Sequence, residues 1–60
     1  MTRLVTLISL AKYDGGLHNV TIDDDDATVE AITEAAIQLL LRYSMVEGDR
    51  LTVDTIEAAA

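Results

Sequence analysis

The chain is poor in the residues that most often carry chemistry or staple small folds. Its 60 residues include no Cys, no Pro, no Trp and no Phe, a single His, two Tyr, and only four Lys and Arg against eleven Asp and Glu. Without Cys there is neither a disulfide framework nor a thiolate metal site, and the cytoplasm is the expected compartment. The longest uncharged apolar runs, Leu4 to Ala11 and Ala35 to Leu41, fall far short of the roughly 20 residues that cross a bilayer. Lys12 and Asp14 interrupt any signal-peptide core, and no glycine-rich phosphate loop is present. A chain of this length buries only about 60% of its unfolded surface, too little to surround a deep substrate pocket. An enzyme is not expected, and no cofactor or metal is expected either.

The scarcity of base leaves a net charge of −7. Such an excess of carboxylate repels phosphate, which disfavours direct binding to nucleic acid or to an anionic membrane. A basic protein or nucleoprotein complex is the partner class that remains, and the alternative is that the charge serves solubility alone.

Arg3 to Leu10 is rich in Leu, Val, Ile and Thr, with apolar groups on both parities, as in a central strand. Asp14-Gly15-Gly16 signals a tight reversal. In Leu17 to Ile22, His18, Val20 and Ile22 alternate with Asn19 and Thr21, the period of a half-buried strand. Four adjacent carboxylates, Asp23 to Asp26, end that strand and suit the start of a helix, where Asp25, Asp26 or Thr28 can accept from free N–H groups. The helix is expected over about Ala27 to Tyr43, with Val29, Ile32, Ala36, Leu39, Leu40 and Tyr43 on its buried stripe. Arg50 to Ile56 reads as a third strand with Leu51, Val53 and Thr55 on one face, and the terminal alanines are expected to fray. Residues 1–60 then form one small acidic α+β domain, a three-stranded antiparallel sheet with one helix packed on one face in the order β-β-α-β. The doubly apolar first strand belongs at the centre, in sheet order 3-1-2 or its mirror, which leaves the opposite sheet face thinly covered.

Candidate sites follow from charge and exposure. His18 shares parity with Val20 and Ile22 and reads as a rim residue of the core. The run Asp23-Asp24-Asp25-Asp26 lacks the alternating ligands, the Gly and the final Glu of an EF-hand. If the run stays extended, Asp23 and Asp25 repeat about every 6.6 Å. Glu30 and Glu34 lie one helical turn apart, at about 6 Å. Together these acids would form a negative strip that imitates a nucleic-acid backbone. On the same helix flank, Ile37 and Leu41 project about 100° from the centre of the core stripe, as an apolar interface for a second copy or for a larger complex.

The pieces Lys12-Tyr13-Asp14-Gly15-Gly16, Val29 to Leu41 and Glu47-Gly48-Asp49-Arg50-Leu51-Thr52-Val53 follow in an order that resembles the small type I-F anti-CRISPR proteins of phages and mobile elements. The resemblance covers most of the chain. It implies an inhibitor that occupies a basic nucleic-acid-binding surface of a CRISPR effector, and it carries over Asp14 as a contact from the hairpin. The remaining contact candidates, Asp23, Asp24, Asp25, Asp26, Glu30 and Glu34, come from the charge pattern alone.

Overall fold

The computed structural model describes residues 2–59, and it is an α+β fold. Strands β1 (Thr2–Ala11) and β2 (Leu17–Asp23) form a hairpin, a 3₁₀ turn covers Asp24–Asp26, helix α1 spans Val29–Tyr43, and β3 (Arg50–Ala59) closes the chain. The sheet order is β2-β1-β3 and both pairings are antiparallel. The strand that is apolar on both faces is therefore central, as expected, because only a central strand needs apolar groups on both sides.

Each element has a local cause. The hairpin closes through Gly15 N–H donating to the Lys12 carbonyl at 3.0 Å and Lys12 N–H donating to the Gly16 carbonyl at 2.7 Å. Gly15 takes φ +102°, a conformation that glycine adopts without steric cost. The helix begins at Val29 rather than Ala27. Its cap is Thr28, whose hydroxyl accepts from Ala31 N–H at 3.1 Å, while Asp24–Asp26 form a separate 3₁₀ turn before it. At the other end, Ser44 adopts the left-handed conformation at φ 50° and donates its N–H to the Leu40 carbonyl.

The core lies between the sheet and α1. In register, Ile8 sits between Val20 and Val53, and Leu10 between His18 and Leu51. Ile8 and Leu10 are fully buried, and Leu39 buries from the helix side. His18 and Tyr43 stack with ring centroids 3.6 Å apart and planes 7° from parallel, which pins the helix end to β2. The helix packs on β1 and β2, and β3 receives no comparable cover. Val53, on the helix side of β3, accordingly remains 48% exposed. Two further expectations are corrected. Val29 is 82% exposed, because the buried stripe begins one turn later at Ile32, where the helix lies against the sheet. The third strand does not stop at Ile56, since β3 pairs with β1 as far as Thr2–Ala59; of the terminal alanines, Ala60 lies outside the described residues. Ladder hydrogen bonds to a central strand hold a backbone whose alanines offer little packing.

A buried ion pair joins the three parts of the fold. The Asp49 side chain has no solvent exposure, and its Oδ2 accepts from Lys12 Nζ at 2.5 Å and from Val46 N–H at 2.9 Å. Its Oδ1 accepts from Tyr13 N–H at 2.7 Å. Lys12 Nζ also donates to the Tyr43 and Ser44 carbonyls at 3.0 and 3.1 Å, at the negative end of the helix. The hairpin, the helix terminus and the start of β3 thus meet at two side chains. Gly48, at φ +96° in the turn closed by Asp49 N–H donating to the Val46 carbonyl, lets the Tyr13 ring lie against the backbone. A Cβ at that position would stand 2.8 Å from Tyr13 Cδ2.

Hydrogen bonding from Lys12, then from the Val46 and Tyr13 N–H groups, pulls the Asp49 carboxyl from its ordinary 3.8 down to about 2. A lowered folded-state value stabilises the fold above the unfolded pKa, and that contribution is lost as pH falls through the folded one. Wild type should therefore exceed Asp49→Asn in stability above about pH 4, with the difference vanishing near pH 2, as read by urea denaturation at each pH. In the same assay Gly48→Ala should cost about 1–3 kcal/mol, through the left-handed backbone and the contact with Tyr13. Ser44→Gly should instead add about 0.5–1 kcal/mol, because glycine takes the left-handed cap without strain.

Candidate functional site

The acids named from sequence fall into three places. Asp23 ends β2 and its Oδ1 lies 3.5 Å from Arg3 Nη2, with both side chains half exposed. Asp24, Asp25 and Asp26 are exposed on the 3₁₀ turn. An open depression of about 380 Å³ is lined by Arg3, Leu4, Asp23, Asp24 and Asp25. The extended spacing expected for Asp23 and Asp25 is not found. A 3₁₀ turn rises only about 2 Å per residue, so the run coils into an acidic knob beside the depression rather than a ladder of regular charges. The cause is local: once β2 loses its partner on β1 beyond the Val5–Asp23 pair, nothing holds the chain extended.

Glu30 and Glu34 occupy the outer ridge of α1, where Ile37 and Leu41 continue the same i, i+4, i+7, i+11 row. All four are exposed, Ile37 by 44% and Leu41 by 72%. The ridge is acidic in its first half and apolar in its second. Glu34 Oε1 accepts from Gln38 Nε2 at 3.3 Å, a contact within the helix that leaves its charge unneutralised. Among the described residues the ion pairs are Arg3–Asp23 and Lys12–Asp49, so no Lys or Arg stands at ion-pair distance from Asp24, Asp25, Asp26, Glu30 or Glu34.

Asp14 joins neither group. It sits in the hairpin loop, where its Oδ1 accepts from Gly16 N–H at 3.2 Å, and the length of β2, roughly 20 Å, separates it from Asp23. Its geometry is that of a turn-forming aspartate.

A smaller depression of about 160 Å³ lies between β2 and the helix, against Val20, Leu39 and Tyr43. His18 is half buried, its face covered by Tyr43. Among the described residues no group of three His, Asp or Glu is placed to hold a metal ion. Asp49, whose carboxyl is held below its ordinary range by its hydrogen bonds, already accepts from three donors. That saturation suits it to hold structure and not to move protons. What the exposed acids can do is attract and orient a cationic surface.

The Lys12–Asp49 cluster is the part that sequence reasoning missed. The signal lay in the register. Ala11 opposes Arg50 at the end of the β1–β3 ladder, and continuing that register by two steps sets Lys12 against Asp49 and Tyr13 against Gly48. Once β3 is placed beside β1, the two fragments Lys12-Tyr13 and Gly48-Asp49 identify each other.

Asp24, Asp25 and Asp26 form no side-chain cap and no ion pair among the described residues, so the fold does not depend on their charge. The triple substitution of these residues to Asn should shift stability by less than about 0.5 kcal/mol in urea denaturation. No helix among the described residues is long and apolar enough to cross a membrane. Compared with family models, curated proteins and solved structures, the chain matches none.

Proposed function

We propose that the chain is a non-enzymatic binding protein that captures a basic, nucleic-acid-binding surface of a protein or nucleoprotein complex and so excludes the nucleic acid. The observation that carries this reading is the placement of unneutralised acid. Asp24 and Asp25 line one open depression beside the Arg3–Asp23 pair, Asp26 adjoins it on the same turn, and Glu30 and Glu34 stand on the outer ridge of the helix that follows. A depression bordered by carboxylates accepts the ammonium or guanidinium end of a partner side chain, and the ridge offers further charges at about one-turn spacing. The net charge of −7 adds long-range attraction to such a surface and repulsion from nucleic acid itself. The resemblance to small type I-F anti-CRISPR proteins makes a CRISPR effector the first partner to examine.

A second reading rests on Ile37 and Leu41. Two branched apolar side chains exposed on the ridge beyond Glu34 form a docking face by which the chain would assemble into a larger complex or with a second copy.

The two readings separate by experiment. A purified type I-F effector complex, loaded with labelled target DNA, is titrated with the protein and DNA release is followed by fluorescence anisotropy. Wild type should displace DNA, with a steep loss of potency as salt rises. The Asp24, Asp25, Asp26→Asn variant should be weaker by about tenfold or more, since charge pairs at interfaces govern capture. Ile37→Glu and Leu41→Glu should retain displacement under the first reading and abolish assembly under the second, as read by sedimentation. Displacement by wild type that is indifferent to the triple substitution would overturn the electrostatic reading.

A further inference from the structure

The sheet has two edges, and they are protected very differently. β2 is short, and the helix that packs on it brings Gln38 and Arg42 beside Asn19 and Val20 at its rim. β3 is ten residues long, pairs with β1 without a break in register from Arg50 to Ala59, contains no Pro, and carries no helix over it. Natural edge strands are shielded by shortness, bulges, proline or cover, and β3 has none of these. Its charged residues do not guard it either. Arg50 and Asp54 lie on one face, opposite Ala11 and Leu7, and have opposite sign, while Glu57 lies on the other face, opposite Leu4, near the strand's end.

We propose that β3 is an interface for a second copy of this chain, paired antiparallel about a two-fold axis at Thr52. That register places Arg50 opposite the second copy's Asp54 twice, Leu51 opposite its Val53 twice, and Thr52 opposite itself. Asp54 is exposed and has no ion-pair partner among the described residues, and Arg50 is exposed as well. Both acquire a partner of opposite sign in the pair. Val53, 48% exposed because α1 stops short of β3, acquires Leu51 of the second copy as a cross-strand neighbour on the helix side. Neighbouring registers are worse by charge. An axis at Asp54 sets two carboxylates face to face, and axes at Val53 or Thr55 leave Asp54 without a cation opposite. The two-fold at Thr52 runs through the sheet from face to face, so both helices lie on the same side of a six-stranded sheet. A ladder of five residues is a small interface, and the dimer is accordingly weak and concentration-dependent. It is independent of the acidic knob and of the helix ridge.

Sedimentation equilibrium on the full chain over a wide concentration range tests the proposal. Wild type should dimerise at micromolar to high micromolar concentration. Asp54→Arg and Arg50→Asp should each weaken the dimer by about tenfold or more, by setting like charges opposite one another. The double variant Arg50→Asp with Asp54→Arg should restore it, since the swapped pair has the same complementarity, and Ile37→Glu should leave it unchanged. Circular dichroism of each variant checks that the monomer fold persists. A wild-type chain that stays monomeric at high micromolar concentration overturns the proposal. So does a dimer that is lost with Ile37→Glu but indifferent to both single charge reversals, or one that the double swap fails to restore.

Discussion

The fold turns on the contact between Lys12 and Asp49. An ammonium and a carboxylate are withdrawn from water together, and both carboxylate oxygens also accept from backbone N–H groups, one from the hairpin and one from the turn before β3. Withdrawing such a pair is costly unless further hydrogen bonds offset it, and here Asp49 accepts three and Lys12 donates three. Lys12 spends its other donors on the last carbonyls of α1. Three elements that share little apolar packing are in this way fixed to one another at one end of the sheet. With four buried apolar side chains among the described residues, Val5, Ile8, Leu10 and Leu39, a polar junction carries a share of the specification that a larger core would supply.

The opposite end of the molecule is built on a different plan. There the chain leaves β2 through a run of four exposed aspartates that, among the described residues, no cation pairs apart from Arg3. The 3₁₀ turn gathers them beside an open depression, and the first half of the helix ridge continues the negative surface. Asp24, Asp25, Asp26, Glu30 and Glu34 thereby stand apart from the buried pair, while Asp14 and Glu47 are exposed beside it. That separation lets the acids be available for a partner without being needed for folding. The thin cover over β3 adds an unguarded sheet edge with its own complementary charges, on an element that neither the knob nor the ridge uses.

Much of this is legible before any coordinates are known. The two-sided apolarity of Leu4 to Leu10 places β1 at the centre of the sheet, because a strand with one wet face would alternate. The 3.6-residue period of Ile32 to Tyr43 marks the helix and its buried side, and Asp14-Gly15 marks the hairpin. Less legible is anything that depends on where packing stops. Val29 fits the stripe by angle and is nonetheless exposed, since periodicity records direction and not the extent of the sheet beneath it. Asp23 to Asp26 carry the same charge in either conformation, so their composition indicates an acidic site but not its shape. Asp49 looks like any other acid near a glycine until the strand register is applied.

The amino-acid sequence by itself determined the element order, the central strand, the helix face and the location of the charge. All of these follow from local propensity and short-range periodicity, which neighbouring residues set without reference to the rest of the chain. Tertiary structure alone decided that the aspartates coil into a knob, that Lys12 and Asp49 bury one another, and that the helix stops short of β3. Each of these depends on which distant segment lies alongside, and contacts between segments far apart in sequence exist only after the chain has closed on itself.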